Sequence, residues 1–408
     1  MQHMNNFFLF FHTCFLFCFF TTAYIQAQRT MSESDIEDAI AYCTQKTEIT
    51  LKAIEGYHQF PRFIRGGEYS WELFEGTGWT NGFWPGILWY ISEYGKRPDL
   101  QSAAEKFTTS LEPILDRPVK CHDLGFLFQN SYGHAYRITG EKKYKEKLLL
   151  AADSLTRLFN PHAGTILSWP TKVRDKTFAP HNTIIDGMMN LELLFEATRL
   201  TGDSSYYFMA RQHASTTMKN HIRADSTTWH VLVYDDKTGK VLDRKTHQGY
   251  ADNSLWARGQ AWAIYGFTMC YRETGCIDFL HTAQAVAWAY LQHLPGDLIP
   301  YWDFCDPAIP YAPRDASAAA IAASALIELS EQTANEVLKQ VLRDAAMKML
   351  KNLSSGKYQS RNNNAAFLSH STGSKPGNYE VDVPIIYADY YYLEALLRAN
   401  RLLHQKKY

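Results

Sequence analysis

At four places along the chain a glycine closes one helical pattern just before another begins. They are Glu93-Tyr94-Gly95, Ile138-Thr139-Gly140, Leu200-Thr201-Gly202 and Glu273-Thr274-Gly275. Glycine there suits the left-handed conformation that follows a helix C-terminus. Apolar periodicity predicts twelve helices, at 34–56, 79–94, 99–115, 124–138, 142–159, 183–201, 204–222, 255–273, 277–293, 315–331, 335–353 and 384–402. The first opens on a capping box of Ser34 with Glu37.

Within most pairs the two helices differ. One is rich in small residues, as at Ala257, Gly259, Ala261, Ala263 and Gly266 or from Ala316 to Ala323; its partner is amphipathic and Lys- or Arg-bearing. Small residues allow close packing on an inner ring, and a charged stripe suits an outer ring facing solvent. Six hairpins so arranged make an all-α (α/α)6 barrel with a funnel at the inner-helix ends. An open solenoid would share the pattern, and only closure separates the two. Residues 223–250 are the exception. Thr227 to Tyr234 followed by Asp235-Asp236-Lys237-Thr238-Gly239 reads as a small β-hairpin over the rim.

Residues 1–27 are expected to be a signal peptide. Phe7 to Phe20 are almost continuously apolar, and the segment ends in Ile25-Gln26-Ala27. That predicts export, to the periplasm, and leaves 28–408 as the folded domain. A run so short is not a membrane span. The remaining cysteines, Cys43, Cys121, Cys270, Cys276 and Cys305, are odd in number and imply no disulfide framework. No metal-site spacing occurs, and neither metal nor cofactor is expected. A formal net charge of -1 offers no basic excess for nucleic acid. Aromatic residues make up 14% of the 408-residue chain, with 25 Tyr and 10 Trp, which suits either a core or the walls of a sugar site.

Polar residues on the inner helices narrow the chemistry. Asp186 stands near the start of one, with Asn190 one turn later on the same face, and Asp123 precedes another. Each aspartate can be a helix cap. Two of them at inner-helix starts would also both point into the mouth, where a carboxylic acid and a carboxylate can serve a glycosidase. Arg258, Trp262 and Tyr265 form one stripe, read either as core with Arg258 paired to a buried acid or as a sugar platform beside a cation. In the loop Ser371-Thr372-Gly373-Ser374-Lys375, hydroxyls and a cation could bind a sulfate; the bland alternative is a polar turn.

The chain resembles the unsaturated glucuronyl hydrolases of glycoside hydrolase family 88. The matching stretches are Trp79-Thr80-Asn81-Gly82-Phe83-Trp84-Pro85-Gly86, His122-Asp123-Leu124-Gly125-Phe126 and Asp186-Gly187-Met188-Met189-Asn190-Leu191. Further on come Gln248-Gly249-Tyr250-Ala251-Asp252-Asn253-Ser254, then Trp256 to Trp262, Asp315 to Ala319, Asp382-Val383-Pro384 and Tyr387 to Tyr391. The resemblance implies an (α/α)6 barrel. It also implies removal of a terminal 4,5-unsaturated uronic acid from glycosaminoglycan-type oligosaccharides left by polysaccharide lyases. On this resemblance Asp186 is the general acid/base that protonates C4 and delivers water to C5, with Asp123 the second carboxylate. Arg258, Trp262, Gln248 and His230 match substrate-binding positions, and Trp79, Trp84 and Trp169 are candidate walls, with packing the stronger alternative for Trp84 beside Pro85. Ser371, Ser374 and Lys375 complete the expected contacts through the sulfate hypothesis. The alternatives are an unsaturated rhamnogalacturonyl hydrolase acting on pectin fragments, a sugar epimerase, or a non-catalytic sugar-binding protein.

Overall fold

The computed structural model describes residues 30–405 except 77, 120, 171, 172 and 174–176. The expected signal peptide, residues 1–27, lies outside the described residues.

All twelve expected helices form. In chain order they are α1 (Glu33–Ala53), α2 (Phe83–Gly95), α3 (Pro98–Thr109), α4 and α5 (Lys142–Thr156), then α6 (Leu191–Thr201) and α7 (Ser204–His221). There follow α8 (Ala257–Thr274), α9 (Ile277–His293), α10 (Ala316–Gln332), α11 (Glu336–Leu353) and α12 (Ile386–Gln405). Helix α4 begins as a wide-turned helix, Gly125–Gly133, and tightens into His134–Thr139. Among the described residues no helix is long and apolar enough to cross a membrane.

Helices α2, α4, α6, α8, α10 and α12 pack side by side in that order, and α12 returns to α2. That contact closes the ring and makes the fold an (α/α)6 barrel rather than a solenoid. Closure explains the composition. Every residue from Ala257 to Cys270 of α8 is buried, because an inner helix faces protein on all sides. Five outer helices follow their inner partners as hairpins. The sixth pair is not a hairpin, contrary to expectation: it joins α1 to α12, the first and last helices of the chain. His404 Nε2 lies 3.4 Å from Glu33 Oε1 across this seam.

Three of the four glycine breaks are left-handed caps, with φ of 69° at Gly140, 79° at Gly202 and 65° at Gly275. At the fourth, Gly95 stays helical and Lys96 takes the left-handed position at φ 50°. The capping box is also two residues earlier than expected. Ser32 accepts from the Asp35 amide and Asp35 accepts from the Ser32 amide, so Ser34 lies inside α1.

The inner helices run parallel, which separates two ends. Their N-termini converge at one mouth, where backbones nearly touch. A Cβ at Gly82 would sit 2.1 Å from the Phe126 carbonyl oxygen, and one at Gly125 would sit 2.5 Å from Asn190 Cα. At the opposite end a chain of charges links the inner helices. Arg137 pairs with Glu93 at 2.7 Å, Arg272 pairs with Glu192 and Glu328, and Arg398 pairs with Glu328 at 2.6 Å. Tyr90 on α2 donates to Glu394 on α12 at 2.9 Å, crossing the point of closure.

The expected rim hairpin exists as β6 (Val231–Tyr234) and β7 (Val241–Lys245), with Val231 opposite Lys245. It gains a third strand, β5 (His181–Ile184), antiparallel to β6 with Ile184 opposite Val231. The helix expected from 183 is therefore a strand to Ile184 and a tight 3-10 turn at Ile185–Asn190 before α6 begins. Two short antiparallel pairs, β1 (Gln59–Phe63) with β2 (Glu72–Glu75) and β3 (Phe159–Asn160) with β4 (Thr165–Ile166), lie in the loops.

Candidate active site

Strand β5 delivers Asp186 to the mouth. The Ile185 amide donates to the His230 carbonyl at 3.1 Å, and the chain then turns into the 3-10 segment, leaving Asp186 half-buried on its first turn. Asp186 Oδ1 is enclosed and meets no hydrogen-bond donor. Burial first, and the neighbouring Asp123 carboxylate second, push the Asp186 carboxyl up to about 7; Arg258 pulls the other way. An acid that exchanges its proton near neutrality thus stands beside a second carboxylate. Asp123 belongs to the segment leading into α4, where the His122 amide donates to the Ser168 carbonyl at 3.2 Å.

Asn190 is not the partner that its spacing suggested. The segment turns in three residues rather than 3.6, so Asn190 leaves the face of Asp186. Its Oδ1 instead accepts from the Phe126 amide at 3.1 Å and ties α4 to α6.

Arg258, 1% exposed, follows the core reading of its stripe. It pairs with Asp315 at 2.6 Å and donates to the carbonyls of Thr372 at 2.5 Å and Gly373 at 2.6 Å. Its guanidinium carbon lies 4.6 Å from the Trp256 ring centre. The role expected for it, a direct polar contact with sugar, gives way to bracing the 371–375 loop. Gln248 supports the same loop, donating from Nε2 to the Gly373 carbonyl at 3.0 Å.

His230 is buried just ahead of β6 rather than displayed on a strand. Its Nδ1 accepts from the amides of His247 at 3.1 Å and Gln248 at 3.3 Å, and its ring lies 4.4 Å from that of Trp256. It thereby positions Gln248.

The tryptophans divide. Trp84, 1% exposed, packs edge-on against Phe107 and is core, which removes it as a wall. Trp262 is equally buried between Phe126 at 5.4 Å and Tyr391 at 5.3 Å, so it underlies the mouth instead of presenting a stacking face. Trp79, half-buried and stacked on Tyr387 at 5.3 Å, lies near the mouth. Trp169 is half-buried between Phe178 and His247. These two remain candidate walls.

The 371–375 loop is more enclosed than a polar turn. Ser371 bridges to Val383 through its backbone and its side chain is buried, as is that of Ser374. Neither hydroxyl is open to a sulfate, contrary to expectation. Lys375 is partly exposed and pairs with Asp306 at 2.7 Å.

Several residues were not singled out for a role from sequence. Asp315 caps α10, accepting from the Ser317 amide at 3.2 Å, while holding Arg258. An aspartate before an alanine-rich helix signals the cap but not the ion pair. Ser168 carries no distinguishing local pattern, and His122 stands in a stretch that carries the family resemblance without a role assigned to it.

A profile described as Glycosyl Hydrolase Family 88 matches residues 50–400. An unsaturated glucuronyl hydrolase from Formosa agariphila is 42% identical over 353 residues, covering 85% of this chain and 86% of its own. An unsaturated chondroitin disaccharide hydrolase from Streptococcus pneumoniae is 33% identical, covering 90% of this chain and 92% of its own. Among solved structures, an unsaturated glucuronyl hydrolase specific for heparin superposes with a TM-score of 0.83 at 38% identity, covering 91% of this chain and 97% of that one.

Proposed function

This chain belongs to glycoside hydrolase family 88, and from that we propose that it removes the non-reducing-end 4,5-unsaturated uronic acid from glycosaminoglycan-derived oligosaccharides. The observation that carries the reading is Asp186, an enclosed carboxyl held near neutrality beside Asp123. A proton must be given to carbon and then recovered from water, which suits a group whose two states are close in energy at working pH.

Protonated Asp186 gives its proton to C4 as the C4=C5 bond opens and positive charge develops at C5. Water adds to C5, and the Asp186 carboxylate takes the proton that water sheds. The resulting C5 hemiketal opens at its ring oxygen, and the hemiacetal left at C1 expels the remaining saccharide as an alcohol. Asp123 favours the first step by repelling a negative Asp186, and a second carboxylate beside the acid would stabilise the positive charge at C5. Inner-helix N-termini, the positive ends of their dipoles, converge on the mouth and favour an anionic uronate there. The names of the chondroitin and heparin enzymes among the relatives support a glycosaminoglycan source over pectin. The apolar segment before residue 28 supports export to the periplasm.

The test is the ultraviolet absorbance of lyase-generated unsaturated disaccharides, since hydration destroys the conjugated C4=C5 carboxylate. Wild type should erase the signal, while Asp186→Asn should bind substrate and leave it intact. A stable signal across chondroitin, heparin, hyaluronan and pectin fragments would favour an epimerase or a binding protein.

A further inference from the structure

A short hydrogen-bonded chain lies behind the two carboxylates. The Ile184 amide donates to Ser168 Oγ at 3.0 Å, which leaves the Ser168 hydroxyl hydrogen for another acceptor. His122 Nδ1 is 3.4 Å away. With Nδ1 accepting, a neutral imidazole carries its hydrogen on Nε2, and His122 Nε2 faces Asp123 Oδ1 at 3.5 Å. The contact is longer than a full hydrogen bond, and the buried Nε2 has no hydrogen-bond partner among the described residues, so Asp123 is the nearest group it can serve. His122 is 1% exposed, and burial pushes its pKa down against the upward pull of Asp123, so the ring stays neutral.

The turn after Asp186 accommodates this ring. A Cβ at Gly187 would sit 3.2 Å from His122 Nδ1 and 3.3 Å from His213 Nε2. His213 Nδ1 accepts from the Ile166 amide at 2.9 Å, which places its hydrogen on Nε2 as well, and burial lowers its pKa to about 3. Two neutral imidazoles therefore back the carboxylates, one with its tautomer set by the Ser168 hydroxyl and the other by the Ile166 amide. The other titratable groups are Cys121, whose thiol is pushed up by burial next to Asp123, and Arg258, whose charge opposes the proton on Asp186.

We propose that His122 is a positioning residue: oriented by Ser168, its Nε2–H holds the Asp123 carboxyl group in place beside Asp186. The proposal rests on the reading of Asp186 as the acid. A histidine that only filled space would be replaceable by phenylalanine.

The experiment compares His122→Phe, His122→Gln and Ser168→Ala in the full-length protein, with thermal melts alongside. The substrate is an unsaturated chondroitin disaccharide. His122→Phe should lower kcat about tenfold with KM within about twofold, and move the alkaline limb of kcat down by about half a pH unit. The Gln amide reaches where Nε2 does, so His122→Gln should recover most of kcat and the limb. Ser168→Ala should lose about threefold and shift the limb the same way, and it decides the matter if His122→Phe does not fold. In an Asp123→Asn background His122→Phe should cost little more. An unmoved limb, no rescue by Gln, or an equal loss with and without Asp123 would overturn the proposal while leaving the function intact. A wild type inactive on all unsaturated disaccharides would overturn both.

Discussion

The Arg258 guanidinium meets the Asp315 carboxylate at 2.6 Å with both side chains sealed from solvent, and the same fork holds the carbonyls of Thr372 and Gly373. Removing one member of such a pair strands the other, at a cost of about 3–5 kcal/mol. Arg258→Met should therefore lower the melting temperature markedly. Arg258→Lys restores the charge without the planar fork, so it should recover part of the stability but not the ordered loop or full kcat. A Met variant melting like wild type would mean that the Ser317 and Ala318 amides satisfy Asp315 unaided.

Activity should fall on the alkaline side as Asp186 ionises, with a limb near pH 7 in kcat. Asp123→Asn removes the like charge, so the limb should move down. Burial is the larger cause of the elevation, so the limb should stay above the ordinary carboxylate range. Measured pH–rate profiles of the two proteins check the sign.

The same elevation affects stability. Folded Asp186 keeps its proton up to about 7, whereas the unfolded chain releases it near 3.8, so the wild type loses stability as pH rises between those values. Asp186→Asn escapes that loss. Its advantage should be absent below about pH 4 and should reach at most about 4 kcal/mol at pH 8. Denaturant titrations at both pH values test this, and an advantage equal at both would exclude the linkage.

At the far end of the barrel Arg272 joins Glu192 and Glu328 from α6 and α10. Arg272→Met should destabilise by about 2 kcal/mol, because half-buried Glu192 loses its partner while Glu328 keeps Arg398. The pH limb of kcat should not move, since the charges that act on Asp186 are those of Asp123 and Arg258. A shifted limb would show coupling along the helices.

Lys375 is the remaining candidate for sulfate, with its charge matched by Asp306. Lys375→Ala should raise KM severalfold for sulfated disaccharides and less for plain ones. Asp306→Asn should improve affinity for the sulfated substrate. Equal changes on both substrates would make Lys375 a loop prop.

Much of this architecture is legible along the chain because its signals are local. Glycine after a helix and a 3.6-residue apolar rhythm are decided within a few neighbours, and Gly140, Gly202 and Gly275 act as their sequence suggests. Small residues on α8 and α10 marked the inner ring for the same reason. Local signals failed where a distant partner competed. His181–Ile184 became a strand because β6 supplies hydrogen bonds that a helix start would have lacked, and that strand cut short the helix expected from 183.

Family motifs located Asp186 and Asp123 in the sequence, but the pairing of α1 with α12, the burial of Trp84 and Trp262 and the commitment of Arg258 to Asp315 were decided by closure. A tryptophan on an inner helix looks the same in sequence whether it lines a mouth or lies beneath one. Only the tertiary structure brings Asp123 and Asp186 together across 63 residues of chain. The charge repulsion and lost hydration that hold a proton on Asp186 depend on distance in space, which separation along the chain does not encode.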